Sequence, residues 1–281
     1  METTLPSVRL IAFDLDGTLL NTAKELTPRT RAALLAAAEA GIELVPATGR
    51  FFRGLPQAVR ELPCLRYVIS INGASVVDAR SGAELYSAKI PHAEALALLE
   101  RLDALPVIYD CYVDGWGYIT ASMQARAEDF IDDPYNLWSV RNMRAPAPEL
   151  KAFLREGGHA PQKVQLYTRD RALRDRLLEE LARDWPRFAV TSSLPNNIEI
   201  NRAEADKGRA LLALAERLGL TRAQTMAFGD GLNDLTMLRA AQIGVAMANA
   251  HPALLAEADE VADDCDRDGV AKRLEALLEK E

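Results

Sequence analysis

Four apolar residues, Leu10 to Phe13, run straight into Asp14 and Asp16 in "LIAFDLDGTLL", and this interruption constrains the fold more than any other feature of the chain. Side chains at i and i+2 of a strand share a face, so a continuing strand would hold two carboxylates side by side. Gly17 marks a turn instead. The strand therefore ends near Asp14 and leaves both acids together at its carboxyl end. "TPRTRAALLAAAEAGI" follows, with Thr27 as N-cap, Pro28 at the first helical position and Gly41 as the stop. "ELVPATGR" is a second strand, and strand, helix and strand in that order make the βαβ unit of a parallel sheet. A helical "FRGLPQAVREL" and a third strand, "RYVISINGA", extend this to about residue 80 as half of a doubly wound sheet.

The pattern then changes. After a helix, "PHAEALALLERL", come two antiparallel strands, "PVIYDCYVDG" and "GYITAS", and a polar, proline-containing segment. A strand, "QKVQLYT", a helix and two further strands complete an α+β module inserted into the first domain. Alternation resumes after "AEADKG" with helix "RALLALAERLGL", strand "TMAFGD", helix "NDLTMLRAA", short strand "IGVAM", helix "HPALLAEA", strand "EVA" and a terminal helix. "SGAE" near Ser81 and "NRAEADKG" near Asn201 read as the linkers.

Charge and cysteine content narrow the partners. With 33 basic against 41 acidic residues, a net charge of −8 argues against a nonspecific nucleic-acid or anionic-membrane binder. Cys64, Cys111 and Cys265 show no framework spacing, which favours a reducing compartment. No signal-peptide or membrane-spanning run stands at the amino terminus, and the expected location is the cytoplasm.

Ligands of open parallel sheets bind outside the carboxyl ends of the strands. There the core strands place Asp14 and Asp16, then Thr48, Gly49 and Arg50, then Asn72 and Gly73, then Gly229, Asp230 and Asp234. Each ending alone is ordinary turn chemistry; their convergence on one rim is not. Unit charges about 4 Å apart repel by roughly 4 kcal/mol at an effective dielectric near 20. The acids on this rim therefore call for a positive centre, and Mg²⁺ fits all-oxygen ligands and a hydrated site. Lys207 adds charge, and Thr48 and Asn233 add neutral donors. Carboxylates, a hard cation, a lysine and glycine-freed amides make a phosphoryl-transfer kit. With no glycine-rich phosphate loop, the nucleophile is expected on the protein itself.

"DLDGT" at Asp14 to Thr18, "TGR" at Thr48 to Arg50, "DKG" at Asp206 to Gly208 and "GDGLND" at Gly229 to Asp234 resemble the four ordered motifs of the haloacid dehalogenase-like superfamily. The large insertion, "NGA" at Asn72 and "GVAMANA" at Gly244 are similar to its Cof-type sugar-phosphatase branch. One position departs: Ala248 stands where the branch commonly has glycine. The resemblance implies an α/β fold, a Rossmann-like doubly wound parallel sheet core formed by residues 1–83 and 201–281 with an inserted α+β cap at 84–200. It implies Asp14 as nucleophile and Asp16 as acid/base. Mg²⁺ would be held by Asp14, the Asp16 carbonyl and Asp230, with Asp234 ligating or orienting. Thr48, Gly49, Lys207 and Asn233 would hold the phosphoryl oxygens.

The implied activity is Mg²⁺-dependent hydrolysis of small phosphomonoesters through an aspartyl-phosphate. Sugar phosphates come first, then flavin mononucleotide or pyridoxal phosphate. A phosphomutase, a dedicated phosphoglycoside phosphatase and a noncatalytic phosphometabolite sensor are the alternatives. Expected partners are a small-molecule substrate and, at most, further copies in a monomer or small homo-oligomer. In the cap, Tyr109, Tyr112, Trp116, Tyr135 and Trp138 are candidates for stacking on a ring or for the core, and His159 and Lys163 for touching a polar leaving group or for an exposed position.

Overall fold

The computed structural model describes residues 8–192 and 194–279. Ser193 and Lys280, which the sequence reading puts at the end of a strand and in the last helix, lie outside them. The chain divides into two compact units, one of residues 1–50, 55–86 and 206–281, the other of 51–54 and 87–205.

The first unit is built on a five-stranded parallel sheet in the spatial order Glu260–Ala262, Ile243–Met247, Thr225–Gly229, Leu10–Phe13, Glu43–Pro46. A parallel bridge between Ala47 and Ile69, with Thr48 N–H donating to the Ile69 carbonyl at 2.9 Å, carries the order on to Tyr67–Ser70. The chain thus winds outward from Leu10–Phe13 in one direction, then returns beside it at Thr225–Gly229 and winds outward in the other. The reversal lies between those two strands, and there a doubly wound sheet opens a crevice at its carboxyl edge.

Strand alternation sets the layers. Leu10 and Ala12 join Ala210, Leu211, Leu214, Met237 and Leu238 in one apolar cluster, so this sheet face carries the helices Lys207–Arg217 and Leu235–Ala240. Ile11 and Phe13 are equally buried and point the other way. The helices Pro28–Glu39 and Gly269–Leu278 pack against each other. The expected caps of the first helix are present, with Thr27 Oγ1 accepting from Thr30 N–H and Pro28 opening it.

Two short strands escape the sequence reading. Ser75–Asp78 and Glu84–Ser87 extend the Tyr67–Ser70 edge as an antiparallel hairpin, and the "SGAE" segment near Ser81 is its turn. Alternation over four residues is too short to separate a hairpin from a linker.

The second unit is a six-stranded sheet in the order Phe188–Thr191, Asn197–Arg202, Lys163–Tyr167, Ile108–Val113, Trp116–Thr120, Arg144–Ala147. All pairings are antiparallel except the last, which is parallel. The polar 130–150 segment contains the helix Pro134–Asn142, capped by Asp133, and this last strand. Tyr109, Cys111, Val164, Leu166, Ile198 and Ile200 form one face with the helices His92–Asp103, Leu150–Gly157 and Arg171–Asp184. The other face is also buried, yet polar: Asp110, Arg144, Lys163, Gln165 and Glu199 all have little exposure.

Gly208 is where the two helices over the central strands touch. A β-carbon there would lie 2.2 Å from the Thr236 carbonyl oxygen, a backbone atom that cannot swing aside. Gly208→Ala should destabilise the fold by about 1–3 kcal/mol through overpacking, read by urea unfolding; an unchanged midpoint would show that the helices separate freely.

Candidate active site

The rim at the reversal of the sheet gathers side chains from loops far apart in sequence. Asp14 extends the pairing of its strand, its N–H donating to the Phe228 carbonyl at 3.0 Å, so its carboxyl leaves the sheet beside the end of Thr225–Gly229. Gly17 has φ of +92°, and a β-carbon on it would lie 2.5 Å from Asp230 Oδ2. The turn that ends the first strand therefore has to be glycine, both for its backbone and for the closeness of Asp230. Thr18 Oγ1 donates to Asp230 Oδ1 at 2.7 Å and fixes that carboxylate from the same turn.

Lys207 sits at the centre. It is the first residue of its helix, behind the N-cap Asp206, whose Oδ1 accepts from Arg209 N–H at 2.8 Å. A fully buried ammonium at the positive end of a helix is doubly unfavourable. Two carboxylates compensate: Lys207 Nζ donates to Asp14 Oδ1 and to Asp234 Oδ1, both at 2.6 Å. The other oxygen of Asp234 accepts from the amides of Asp230 at 3.1 Å and Gly231 at 2.9 Å. Asp234 thereby fastens the Asp230 loop to Lys207.

Carboxylate oxygens of Asp14, Asp230 and Asp234 lie within 4.8 Å of one another. Burial pushes the Asp14 carboxyl up to about 6, with Asp234 and Asp16 adding repulsion against the counter-pull of Lys207. Asp230 is likewise pushed up to about 6, chiefly by burial and opposed by the Thr18 hydrogen bond. The pull of Asp14 and Asp234 outweighs burial at Lys207 and raises its pKa.

Asp16 is treated differently. Burial alone would raise it, but the hydrogen bonds and charge of Arg50, with Lys24, hold it below the ordinary carboxylate range. Arg50 Nε donates to Oδ2 at 3.0 Å and Nη2 to Oδ1 at 2.9 Å, and Lys24 Nζ lies 3.0 Å from Oδ1. Two aspartates two residues apart thus live in opposite environments. A cavity of about 670 Å³ opens beside Asp16, lined also by Gly17, Lys24, Asp230, Asn249 and Asp264 among others.

Thr48, Gly49 and Asn233 lie on the same rim. Asn72 N–H donates to the Thr48 carbonyl at 3.0 Å, and Asn233 Nδ2 donates to Asn72 Oδ1 at 3.3 Å. Ile71, Asn72 and Gly73 all have positive φ, a costly run for a β-branched residue. A β-carbon on Gly73 would lie 2.2 Å from the Asp206 carbonyl oxygen and 2.7 Å from Lys207 N. The strained loop is the seat on which Lys207 rests. Asp14, Asp16, Thr48, Gly49, Lys207, Asp230, Asn233 and Asp234 are therefore all in the first unit.

Lys24, Thr18 and the side chain of Asn249 have places here that sequence reasoning did not assign. Asn249 Nδ2 donates to the Gly17 carbonyl at 2.8 Å, and its Oδ1 accepts from Cys265 N–H at 3.0 Å. Ala248 beside it is exposed, so its departure from glycine crowds nothing.

The chain matches the family model described as haloacid dehalogenase-like hydrolase over residues 11–274. It belongs to that family. This hydrolase is 28% identical to the 5-amino-6-(5-phospho-D-ribitylamino)uracil phosphatase YcsE of Bacillus subtilis, an alignment covering 95% of this chain and 94% of the relative. It is also 28% identical to the pyridoxal phosphate phosphatase YbhA of Escherichia coli, over 95% and 97%. The crystal structure of a haloacid dehalogenase-like hydrolase from Bacteroides thetaiotaomicron superposes with a TM-score of 0.82 at 29% identity, over 96% and 99%. The hydrolase is a phosphatase of the Cof-type branch, and no helix among its described residues is long and apolar enough to cross a membrane.

In the second unit, the candidate contacts separate. Tyr109 is core, with its hydroxyl donating to Asp103 Oδ1 at 2.5 Å. Tyr112 lies on the polar face, accepting from Arg144 Nη2 at 2.7 Å, while Arg144 Nε donates to Asp110 Oδ2 at 2.9 Å. Lys163 is buried on Glu199 at 3.0 Å. His159 stacks on Phe153, Trp116 lies under Arg53, and Tyr135 and Trp138 stack on each other with about half their surface exposed.

A folded-state pKa raised above the unfolded value means that Asp230 favours folding at low pH and opposes it once pH rises through about 6. Without metal, Asp230→Asn should therefore be more stable than the parent at pH 7.5, by about 1–2 kcal/mol after solvent screening. The difference should vanish towards pH 4. Urea titrations in EDTA measure it, and a variant less stable at pH 7.5 would contradict the crowding of acids described here.

Proposed function

We propose that the phosphatase hydrolyses small phosphomonoesters through an aspartyl-phosphate on Asp14, with Mg²⁺ as its cofactor. The observation that carries this reading is the Asp14 carboxylate held on buried Lys207 at the rim of the sheet reversal, with Asp230 and Asp234 beside it. Asp14 attacks phosphorus with a carboxylate oxygen, and the bond to the leaving oxygen breaks. Asp16 gives its proton to that oxygen, then takes one from the water that displaces Asp14 and releases inorganic phosphate. Lys207, Thr48, the Gly49 amide and Asn233 hold the phosphoryl oxygens.

The residues fit a hard divalent ion. The donors are all oxygen, and two of these carboxyls are raised to about 6 by burial, with neighbouring carboxylates adding repulsion that a cation would offset. Asp14, the Asp16 carbonyl and Asp230 would hold it, and the three hydrogen bonds that Asp234 already accepts from Lys207 and two amides support an orienting role for that residue. The ion supplies charge that offsets the phosphoryl oxygens as the ester bond breaks.

The opposite environments of the two aspartates support the division of work. At neutral pH Asp14 is ionised, as a nucleophile must be. Asp16 in the free enzyme is a carboxylate, ready as a base. A phosphate dianion arriving beside it adds negative charge and raises its hold on the proton it must donate first.

Residues 1–83 and 201–281 form the catalytic core in this reading, and 84–200 form the cap that selects the leaving group. The buried polar sheet face of the second unit supports that role. Sugar phosphates lead the substrate list. The relatives named for a phosphoribitylaminouracil and for pyridoxal phosphate support testing phosphorylated cofactors beside them. The acidic balance and three free cysteines support a cytoplasmic enzyme, a monomer or small homo-oligomer, acting without nucleic acid or membrane.

Phosphate release from a panel of phosphosugars, flavin mononucleotide, pyridoxal phosphate and a chromogenic ester tests the reading. Release should depend on Mg²⁺, stop in EDTA, and fall by about 10³-fold or more in Asp14→Asn with the circular dichroism spectrum retained. Turnover by that variant above a tenth of the parent rate would remove Asp14 from the nucleophile's role.

A further inference from the structure

Lys24 is an unusual residue for its backbone. Its φ is +64°, a left-handed conformation that strains any residue bearing a β-carbon and that glycine or asparagine adopts more easily. Its turn is locked on both sides. Lys24 N–H donates to the Asn21 carbonyl at 2.9 Å, and Glu25 N–H to Asn21 Oδ1 at 2.8 Å. Thr22, through N–H and Oγ1, donates to Asp266 Oδ1, both at 2.9 Å, and Thr27 Oγ1 donates to Asp268 Oδ1 at 2.5 Å. A strained, anchored turn delivers one ammonium to Asp16.

As a stabilising ion pair it counts for little, since Lys24 is more than half exposed. Its geometry is what matters. A carboxylate has about four lone-pair sites, two on each oxygen. Arg50 Nη2 and Lys24 Nζ converge on Oδ1, and Arg50 Nε takes one site on Oδ2. Among the described residues, one site on Oδ2 remains.

We propose that Lys24 is a positioning residue: its ammonium closes the second site of Asp16 Oδ1, leaving Oδ2 as the one oxygen that carries the transferable proton. The inference rests on the assignment of Asp16 to proton transfer. As the phosphorus–oxygen bond breaks, its electron pair stays on the leaving oxygen, the phosphoryl group passes to Asp14, and the Oδ2 proton moves to the leaving oxygen. Without Lys24 the second site of Oδ1 is open as well, and the proton is divided between the two oxygens instead of being held on Oδ2.

Leaving groups separate this from a structural role. An alkoxide needs the proton to depart, whereas p-nitrophenolate does not, so kcat/KM for an alkyl phosphate and for p-nitrophenyl phosphate is compared in the full chain with Mg²⁺. Lys24→Met should lose about ten-fold on the alkyl ester and no more than about three-fold on the aryl ester, with Lys24→Arg restoring most of the difference. Lys24→Gly should show the same kinetic pattern without a lower Tm, because glycine suits the turn. Equal losses on both esters would overturn the proposal, reducing Lys24 to attraction of phosphate. Asp16→Asn is the reference. A steep leaving-group dependence there with a flat Lys24→Met profile overturns the Lys24 inference alone; a flat Asp16→Asn profile overturns the assignment of Asp16 and the inference with it.

Discussion

The structure of the first unit depends on one buried ammonium. Lys207 cannot be placed under a sheet rim, at the positive end of a helix, unless carboxylates meet it there, and Asp14 and Asp234 do so at 2.6 Å. Each of those carboxylates belongs to a different loop. The lysine therefore joins the end of the first strand, the start of a helix 193 positions later and the loop after Thr225–Gly229 into one arrangement. Buried pairs of this kind add little net stability. What they give is definition: with Lys207 in place, Asp14 and Asp230 can point in few other directions.

Crowding then separates the environments of the acids. Asp14 and Asp230 sit where burial raises both to about 6, while Asp16, two residues along, is held low by Arg50 and Lys24. The end of the regular strand at Phe13 makes the division feasible, because Asp14 and Asp16 lie beyond it and their side chains meet different partners, Lys207 and Arg50. A strand continuing past Asp14 would have put both carboxylates on one face and in one environment.

Much of this is legible in the amino-acid sequence. Apolar strands bounded by polar, glycine-bearing endings specify a parallel sheet, and the carboxyl-edge rule then brings Asp14, Thr48, Asn72 and Asp230 to one rim. What escaped were features without local periodicity. The hairpin Ser75–Asp78 and Glu84–Ser87 is too short for a pattern, and the strand Arg144–Ala147 contains a proline that hid it. Lys24 gave no signal, because its role comes from a left-handed turn that lysine seldom occupies. The pairing of charges across the second sheet, Asp110 with Arg144 and Lys163 with Glu199, needs register, which composition does not carry.

The central strand pair, Leu10–Phe13 against Thr225–Gly229, has a bearing on how the chain comes into being. During synthesis the first strand emerges more than two hundred residues before its neighbour on that side. The second unit has all its strands within one continuous stretch and can collapse early, from contacts nearer in sequence. The first must hold an apolar strand and two adjacent acids in an unfinished half-sheet until Thr225–Gly229 arrives. Aspartates at the strand's end are poor company for an aggregating edge. The same carboxylates that crowd the rim of the finished sheet thus also guard the nascent strand while it waits.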